Sequence, residues 1–251
     1  MIEQLGNKLQ LALQLLRKKP VVIDLFGDDS SRAAYDAFMR RHGKLPFMRA
    51  KTFGVALLKL PGGGEKMFSG KAFQAARTNR NRAIKAGYVF RRFDAPSAVD
   101  MMMAVHRSAD VRQGKPIGRD YTDRAAVTRY CGKPGPWFGV FDRDDVLRAY
   151  CHAPIIGDSA LLSRIMGDDR SLSDGVVWFL VWETAIAMQA HQQSHGYPHW
   201  LMYDTYVGAA PGLQEFKRRL GFKPHRVHWR WLGVGRSAQI VGDTLRDTAH
   251  A

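Results

Sequence analysis

The sequence predicts an α/β (α+β) fold, built on a mixed and largely antiparallel sheet that is flanked by helices. Three observations lead to this fold class. Apolar, β-prone stretches lie close together between residues 137 and 166 and are separated by tight turns. Residues 176–188 form an apolar run that is too continuous for a surface helix, which indicates a buried helix. Residues 199–232 then alternate as strand, helix and strand.

The N-terminal part, residues 1–95, is predicted to be a reduced subdomain of helices and strands. Apolar residues at helical spacing indicate an amphipathic helix at residues 2–19, which Pro20 ends. The next predicted elements are a strand at 21–26, a capped helix at 28–43, and a strand at 53–60 that closes in a glycine turn at 61–64.

A basic helix is predicted between residues 71 and 85, where no acidic residue balances the cations. Such a helix is either an ordinary solvated surface or a surface that contacts phosphates. We favour phosphate contact, because arginine forks match phosphate oxygens and acidic partners at i±4 are absent. The predicted tRNA- or phosphate-binding residues are Lys71, Arg77, Arg80, Arg82 and Lys85.

The second predicted domain, residues 96–251, begins with a helix at residues 95–112 and a polar loop at 112–123. Loops of this length often line binding sites, so Arg119 and Tyr121 are candidate substrate-binding residues. Three strands at residues 137–142, 146–156 and 159–166 are then expected to form an antiparallel meander that leads into the buried helix.

Composition limits the possible functions. The formal net charge of +15 and the isoelectric point near 10.1 predict a polyanionic partner. Two cysteines are too few for a disulfide framework and indicate a reducing cytoplasm. His191 and His195 lack a glutamate between them, so no metal site is expected. No apolar stretch is long enough to span a bilayer, so stable membrane insertion is not expected.

The sharpest single signal is Lys217, on a helix predicted from Pro211 to Gly221. Leu213, Phe216 and Leu220 define the apolar stripe of that helix, and Lys217 lies at its edge. A lysine there can simply lay its stem on apolar surface and send its charge to water. The alternative is a functional ammonium near the end of the preceding strand, where ligands bind in open α/β sheets. Three polar side chains are expected beside it, namely Tyr203, Asp204 and Tyr206.

These elements resemble the closing half of the GNAT acyltransferase fold in its FemABX branch, whose members transfer an amino acid from aminoacyl-tRNA to an amine. The branch commonly shows a Gly-Leu-x-x-Phe-Lys-x-x-Phe-Gly pattern. This chain has Gly212, Leu213, Phe216, Lys217 and Gly221, with a leucine in place of the second aromatic residue. Residues 69–93 similarly resemble the arginine-rich helix of the family.

The resemblance implies an aminoacyl-tRNA donor, an amine acceptor and no resident cofactor. It implies that Lys217 stabilises the tetrahedral intermediate or holds the terminal phosphates of the donor, and that Phe216 shapes the pocket. Tyr203 and Asp204 would act with Lys217 in catalysis. The further substrate-binding residues are Tyr206 and Trp178, together with the loop residues given above.

Two other functions stay open. One is an N-acyltransferase that uses acyl-CoA or an acyl-carrier protein. Enzymes that use CoA resemble one another in a loop that binds pyrophosphate before the main helix. At that place this chain carries Asp168 and Asp169, whose negative charges would oppose the phosphates. The other function is RNA binding without catalysis on an acyltransferase scaffold. The acceptor is equally open, because the chain is shorter than the members with two complete GNAT-like units.

Overall fold

The computed structural model describes residues 2–43, 48–62, 67–112 and 114–234, with side chains from residue 10 to residue 233. The chain packs as two compact units. Unit 1 consists of Met1–Met67, Ile155–Leu161 and Met188–Ala251, and unit 2 of Phe68–Pro154 and Leu162–Ala187. The predicted division at residue 95 stays a prediction. The glycine turn predicted at residues 61–64 falls partly outside the described residues.

The helices begin and end where local chemistry satisfies their backbone groups. The Asp28 and Asp123 carboxylates accept hydrogen bonds from backbone N–H groups in the first turns of two helices. Gly87 ends another helix in the left-handed conformation. The α-helices of the described residues are α1 Ile2–Arg17, α2 Asp29–Met39, α3 Gln74–Ala86, α4 Val99–Arg107, α5 Arg119–Thr122, α6 Arg124–Cys131, α7 Val176–His195 and α8 Pro211–Arg219.

The strands fall into two larger sheets, a two-stranded parallel pair and a short hairpin. They are β1 Val21–Gly27, β2 Val55–Lys59, β3 Val89–Arg92, β4 Val111–Arg112, β5 Lys115–Pro116, β6 Trp137–Phe141, β7 Leu147–His152, β8 Ile155–Ile156, β9 Ser159–Leu161, β10 Ser163–Gly167, β11 Trp200–Thr205, β12 Lys223–His225 and β13 Val227–Val234.

Unit 2 is built on a four-stranded antiparallel sheet in the order β10-β7-β6-β3. Its core contains Met102 from α4, Val127 from α6, and Phe141 and Tyr150 from the sheet, all of them buried. The pairing of β10 with β7 shifts register between Ser163 and Met166, so the start of β10 is irregular.

Unit 1 is built on a five-stranded sheet in the order β12-β2-β11-β9-β8, in which only β11 and β9 run parallel. A separate parallel pair joins β1 to β13. Ile23, Leu57, Met202 and Trp229 come from both sets of strands and share one buried core. The described part of the chain therefore has the predicted mixed α/β architecture. No helix in these ranges is both long and apolar enough to cross a membrane.

The prediction of a three-stranded meander is wrong for its second strand. The first and last strands were expected to flank one continuous strand at residues 146–156, but β7 stops at His152. Pro154 has no N–H for a sheet ladder, which explains the interruption. Residues 155–161 instead form the β8–β9 hairpin of unit 1, and β10 then pairs with β7.

The segment after α4 also differs from its prediction. The helix predicted at residues 95–112 ends at Arg107, because the Ser108 hydroxyl and the Arg112 guanidinium both donate to the Val105 carbonyl. The predicted polar loop contains the β4–β5 hairpin and the short helix α5, so Arg119 and Tyr121 lie on a helix.

Candidate functional site

Helix α8 and strand β11 together hold Lys217 inside unit 1. Its side chain is only 1% exposed, in contrast to a lysine that sends its charge to water. The Nζ atom donates a hydrogen bond to the Thr205 carbonyl at 2.7 Å and lies 4.5 Å from the centre of the Tyr203 ring. The carbonyl and the ring face both attract a cation, so the ammonium is fixed at the end of β11.

Burial lowers the pKa of Lys217 from its ordinary value of 10.5 to about 8. The nearby Asp204 carboxylate raises this pKa, and the Lys51 ammonium lowers it. The side chain is thus mostly protonated at neutral pH but gives up its proton far more easily than a surface lysine. A lysine with such a pKa in a buried position is a candidate functional group.

Asp204 lies beside this lysine because the backbone of β11 is irregular there. The pairing of β11 with β2 shifts register between Met202 and Thr205, and Asp204 adopts a positive φ of 50°. Its carboxylate is exposed and forms an ion pair with Lys51. Lys51 was not among the predicted site residues, and the long sequence separation between the partners explains why.

The aromatic residues predicted for the site lie on β11, directly after it and on α8. Phe216 meets the Tyr203 ring edge to face, with ring centres 6.3 Å apart. Tyr206 is buried, and its carbonyl accepts a hydrogen bond from the Gln214 amide at 3.0 Å. Burial raises the pKa of the Tyr206 phenol. Unit 1 therefore contains five predicted residues, Lys217, Tyr203, Asp204, Phe216 and Tyr206, and contacts join the first four of them.

Three further predicted residues belong to unit 2. Trp178 lies half-buried on α7, and Arg119 is exposed on α5. Tyr121 is half-buried, and its ring lies 4.7 Å from the guanidinium carbon of Arg164. The substrate-binding roles of all three stay predictions.

Within the basic helix, Arg80 has an acidic partner far along the chain. Its guanidinium forms an ion pair with Glu183 at 2.6 Å and lies 5.6 Å from the Trp182 ring. Both partners of the ion pair are largely shielded from solvent. Arg80 therefore fastens α3 to α7 within unit 2, and its charge is already matched.

The other cations of this helix divide into two types. The Arg77 guanidinium donates to the Phe68 and Gly70 carbonyls, and Arg82 donates to the Ser173 carbonyl at 2.8 Å. Both guanidinium groups thus help to hold α3 in place. Lys71 and Lys85 have exposed side chains, so of the five they are the best placed to meet phosphate. The phosphate-binding role of the whole set stays a prediction.

Four backbone donors of the loop before α7 are used within unit 2. The N–H groups of Asp169, Arg170 and Ser171 donate to the Ser108 hydroxyl, the Asp168 carboxylate and the Asp168 carbonyl, respectively. The Gly175 N–H donates to the Leu172 carbonyl. Pyrophosphate binding at a helix N-terminus needs unoccupied N–H groups, so these four are not available for it.

The negative charge of Asp168 was predicted to oppose the phosphates of CoA, but the structure shows that this charge is already paired. Its side chain is almost fully buried, and its carboxylate pairs with Arg148 at 2.8 Å and with Arg170 at 3.0 Å. Asp168 therefore anchors the loop and does not present a free negative charge to a ligand. Within the described ranges, no three His, Cys, Asp or Glu side chains lie close enough together to hold a metal ion.

The pKa of Lys217 can be tested through stability. The folded protein releases this proton near pH 8, whereas the unfolded chain keeps it to about pH 10.5, so the unfolded state binds more protons between these values. Raising the pH from 7 to 10 should therefore increase the free energy of unfolding of the wild type, relative to Lys217→Met, by about 1 to 3 kcal/mol. Urea unfolding of both proteins at both pH values measures this difference. Parallel pH dependence in the two proteins would show that the pKa of Lys217 is not lowered.

Comparison with known proteins shows the fold. No family model matches the chain, and no curated protein matches it. Among solved structures, FemX matches with a TM-score of 0.52 and 8% identity, over 68% of this chain and 59% of FemX. A conserved protein of unknown function from Bacteroides thetaiotaomicron VPI-5482 matches with a TM-score of 0.50 and 15% identity, over 68% of this chain and 56% of that one.

L-PGS from Bacillus licheniformis matches with a TM-score of 0.47 and 13% identity, over 78% of this chain and 65% of that one. The chain thus spans less than two thirds of each of these three structures. The likeness to FemX establishes a GNAT-like fold for this chain, as the resemblance in sequence predicted.

Proposed function

We propose that this protein is an aminoacyl-tRNA-dependent aminoacyltransferase that forms an amide bond on an amine acceptor. The observation that carries the proposal is the buried Lys217 ammonium, held between the Thr205 carbonyl and the Tyr203 ring. On a GNAT-like fold, a cation fixed in a desolvated place at a strand end suits acyl transfer, because the reaction develops negative charge on a carbonyl oxygen.

The proposed reaction is aminolysis of an ester. The amine nitrogen bonds to the carbonyl carbon, the ester bond to the tRNA ribose breaks, and the proton of the amine ends on the ribose oxygen. In the tetrahedral intermediate, the protonated Lys217 would stabilise the negative oxygen. Its hydrogen bond to Thr205 uses one of its three N–H donors, and it fixes the direction in which the ammonium points.

Neighbouring residues would position the amine. Asp204 is exposed and close enough to Lys217 to raise its pKa, so its carboxylate could orient the amine or accept its proton. Tyr203 and Phe216 would form the apolar wall, and Tyr206 would support it from the buried side. The ion pair of Asp204 with Lys51 would have to loosen when the amine binds.

Two observations favour a tRNA donor over CoA. Four backbone donors of the loop before α7 are occupied within unit 2, which leaves fewer N–H groups for a pyrophosphate. The net charge of +15 and the exposed Lys71 and Lys85 suit a polyanionic donor. Aminoacyl-tRNA is a cytoplasmic substrate, so we place the reaction in the cytoplasm.

The experiment that tests the proposal is incubation of the protein with a pool of radiolabelled aminoacyl-tRNAs and an amine. We expect label from at least one amino acid to leave the tRNA and to appear in an amide that survives mild alkali, which hydrolyses the ester. Salt-dependent RNA binding without any transfer would instead support a non-catalytic RNA-binding protein. Inhibition of transfer by rising salt is expected, because phosphate contacts release counterions.

A further inference from the structure

A second cluster of functional side chains lies in unit 2, around Arg164 at the irregular start of β10. Arg164 has a positive φ of 48°, a strained conformation for a residue with a side chain. Its guanidinium carbon lies 3.7 Å from the centre of the Tyr130 ring and 4.7 Å from that of Tyr121. Two aromatic faces thus fix the guanidinium, which is the usual arrangement for a cation that must stay in one place.

The positive charge of Arg164 has no counterion among the described residues. Its Nη1 atom is buried and has no hydrogen-bond partner, and no ion pair found there includes it. Burial lowers the pKa values of His106 and His152 to about 4, so both rings are neutral at pH 7. Burial also raises the pKa of the Tyr130 phenol. A buried guanidinium N–H without an acceptor is costly, and a protein rarely keeps one without a use.

A second cation contacts the same tyrosine ring. The Lys133 ammonium lies 4.7 Å from the centre of the Tyr130 ring, which also contacts the Arg164 guanidinium. Lys133, but not Arg164, lines a cavity of about 550 Å³. Trp137 also lines this cavity, its ring contacts the Tyr130 ring, and its buried indole N–H has no hydrogen-bond partner. Asp94 also lines this cavity, but its carboxylate accepts hydrogen bonds from the Ser97 N–H and hydroxyl. Two cations and an unused N–H donor next to aromatic rings are groups that can bind an anion.

We propose that this cluster is a second binding site, which takes a small ligand with a carboxylate group, and that Arg164 binds the carboxylate. A planar carboxylate matches the edge of a guanidinium, and its negative charge balances the half-buried Arg164 cation. The walls offer aromatic surface and few donors, whereas phosphate sites usually supply many N–H groups. The ligand is therefore a carboxylate attached to an apolar or aromatic body.

This site is independent of the proposed transfer. All of its groups belong to unit 2, whereas Lys217 and its neighbours belong to unit 1. Binding is measured without any donor or acceptor, so failure of one proposal leaves the other in place. Tyr121 was predicted from the sequence to bind substrate, and its position over Arg164 gives that side chain a specific partner.

The test uses the full chain and three probes of one shape: phenylacetate, phenylacetamide and phenyl phosphate, titrated by calorimetry. We expect phenylacetate to bind more tightly than the other two. Arg164→Met should weaken phenylacetate binding about 10- to 100-fold, as expected for loss of a charge-assisted hydrogen bond. The matched control is Arg91→Met, because Arg91 also stacks on an aromatic ring, Phe141, but is already paired with Asp145. That control should bind phenylacetate like the wild type.

The melting temperature without ligand separates binding from a structural role. Removal of an uncompensated charge should leave the melting temperature of Arg164→Met unchanged or raised, whereas a structural arginine would lower it. Should that variant fail to fold, Arg164→Lys keeps the charge and should retain part of the binding. Equal affinity of the wild type for phenylacetate and phenylacetamide would overturn the proposal, and so would tighter binding of phenyl phosphate.

Discussion

Replacement of Lys217 by methionine is expected to reduce the rate of amide formation about 100- to 1,000-fold, which is the usual effect of removing one group that stabilises an oxyanion. Methionine fills much of the same space and can keep the contact with the Tyr203 ring. It cannot donate to the Thr205 carbonyl, but it also removes a buried charge, and these two changes in stability oppose each other. The fold should therefore remain intact. Single-turnover transfer from aminoacyl-tRNA measures the effect on the chemical step.

A matched control lies two residues further along the same helix. Arg219 is exposed and pairs with Glu215 at the surface, so Arg219→Met removes a positive charge from α8 without touching the buried site. Its transfer rate should stay within about threefold of the wild type, because exposed ion pairs contribute little. Near wild-type turnover of Lys217→Met would remove this lysine from the mechanism. Equal losses in both variants would point to tRNA binding by α8.

The second large effect is expected in stability, at Gly175. This residue precedes α7 with a φ of +85°, and a Cβ there would overlap the backbone oxygen of Asn79 on α3. Backbone atoms cannot move aside as the end of a flexible side chain can. Gly175→Ala should therefore lower the free energy of unfolding by about 2 to 4 kcal/mol, from left-handed strain and overpacking together. Urea unfolding, followed by circular dichroism, measures the change.

Replacement of Gly70 distinguishes the effect of left-handed strain from the effect of overpacking. It has the same φ of +85°, but a Cβ there would meet nothing within 4 Å. Gly70→Ala should thus show the strain alone, at about 1 kcal/mol. A Gly175→Ala variant no less stable than Gly70→Ala would mean that α3 does not pack closely on the loop before α7.

The sequence predicted those parts of the site that lie close together in the chain. Tyr203, Asp204 and Tyr206 end one strand, and Phe216 and Lys217 lie on the next helix, so strand and helix periodicity were sufficient to group them. Periodicity placed Lys217 at the edge of the apolar stripe. It could not show that Lys217 is more deeply buried than Leu213, because that depends on which elements cover the helix.

Partners that are distant in sequence could not be found in this way. The absence of acidic residues near Arg80 suggested a free cation, yet Glu183 supplies one from α7. The ion pair between Lys51 and Asp204 was likewise not predicted, because the pairing of β2 with β11 brings these two distant residues together. Arg164 was not among the site residues predicted from the sequence. Its actual surroundings depend on the register shift of β10 and on aromatic residues from α5 and α6.

The sequence also did not predict that the chain passes from one sheet to the other and back between β7 and β10. Residues 146–166 read as two long strands, because apolar content continues through Pro154 into β8. A proline within an apolar run does mark a break, and that signal was present. It does not say in which sheet the next strand pairs.

The central claim is that the protein transfers an aminoacyl group from tRNA to an amine. The most direct measurement offers one labelled amine acceptor two donors in parallel, a mixture of aminoacyl-tRNAs and a mixture of acyl-CoA thioesters, and quantifies the amide formed from each. The account predicts amide from aminoacyl-tRNA, lost in Lys217→Met, and none above background from the thioesters. Amide formed from acyl-CoA alone, or from neither donor, would contradict it.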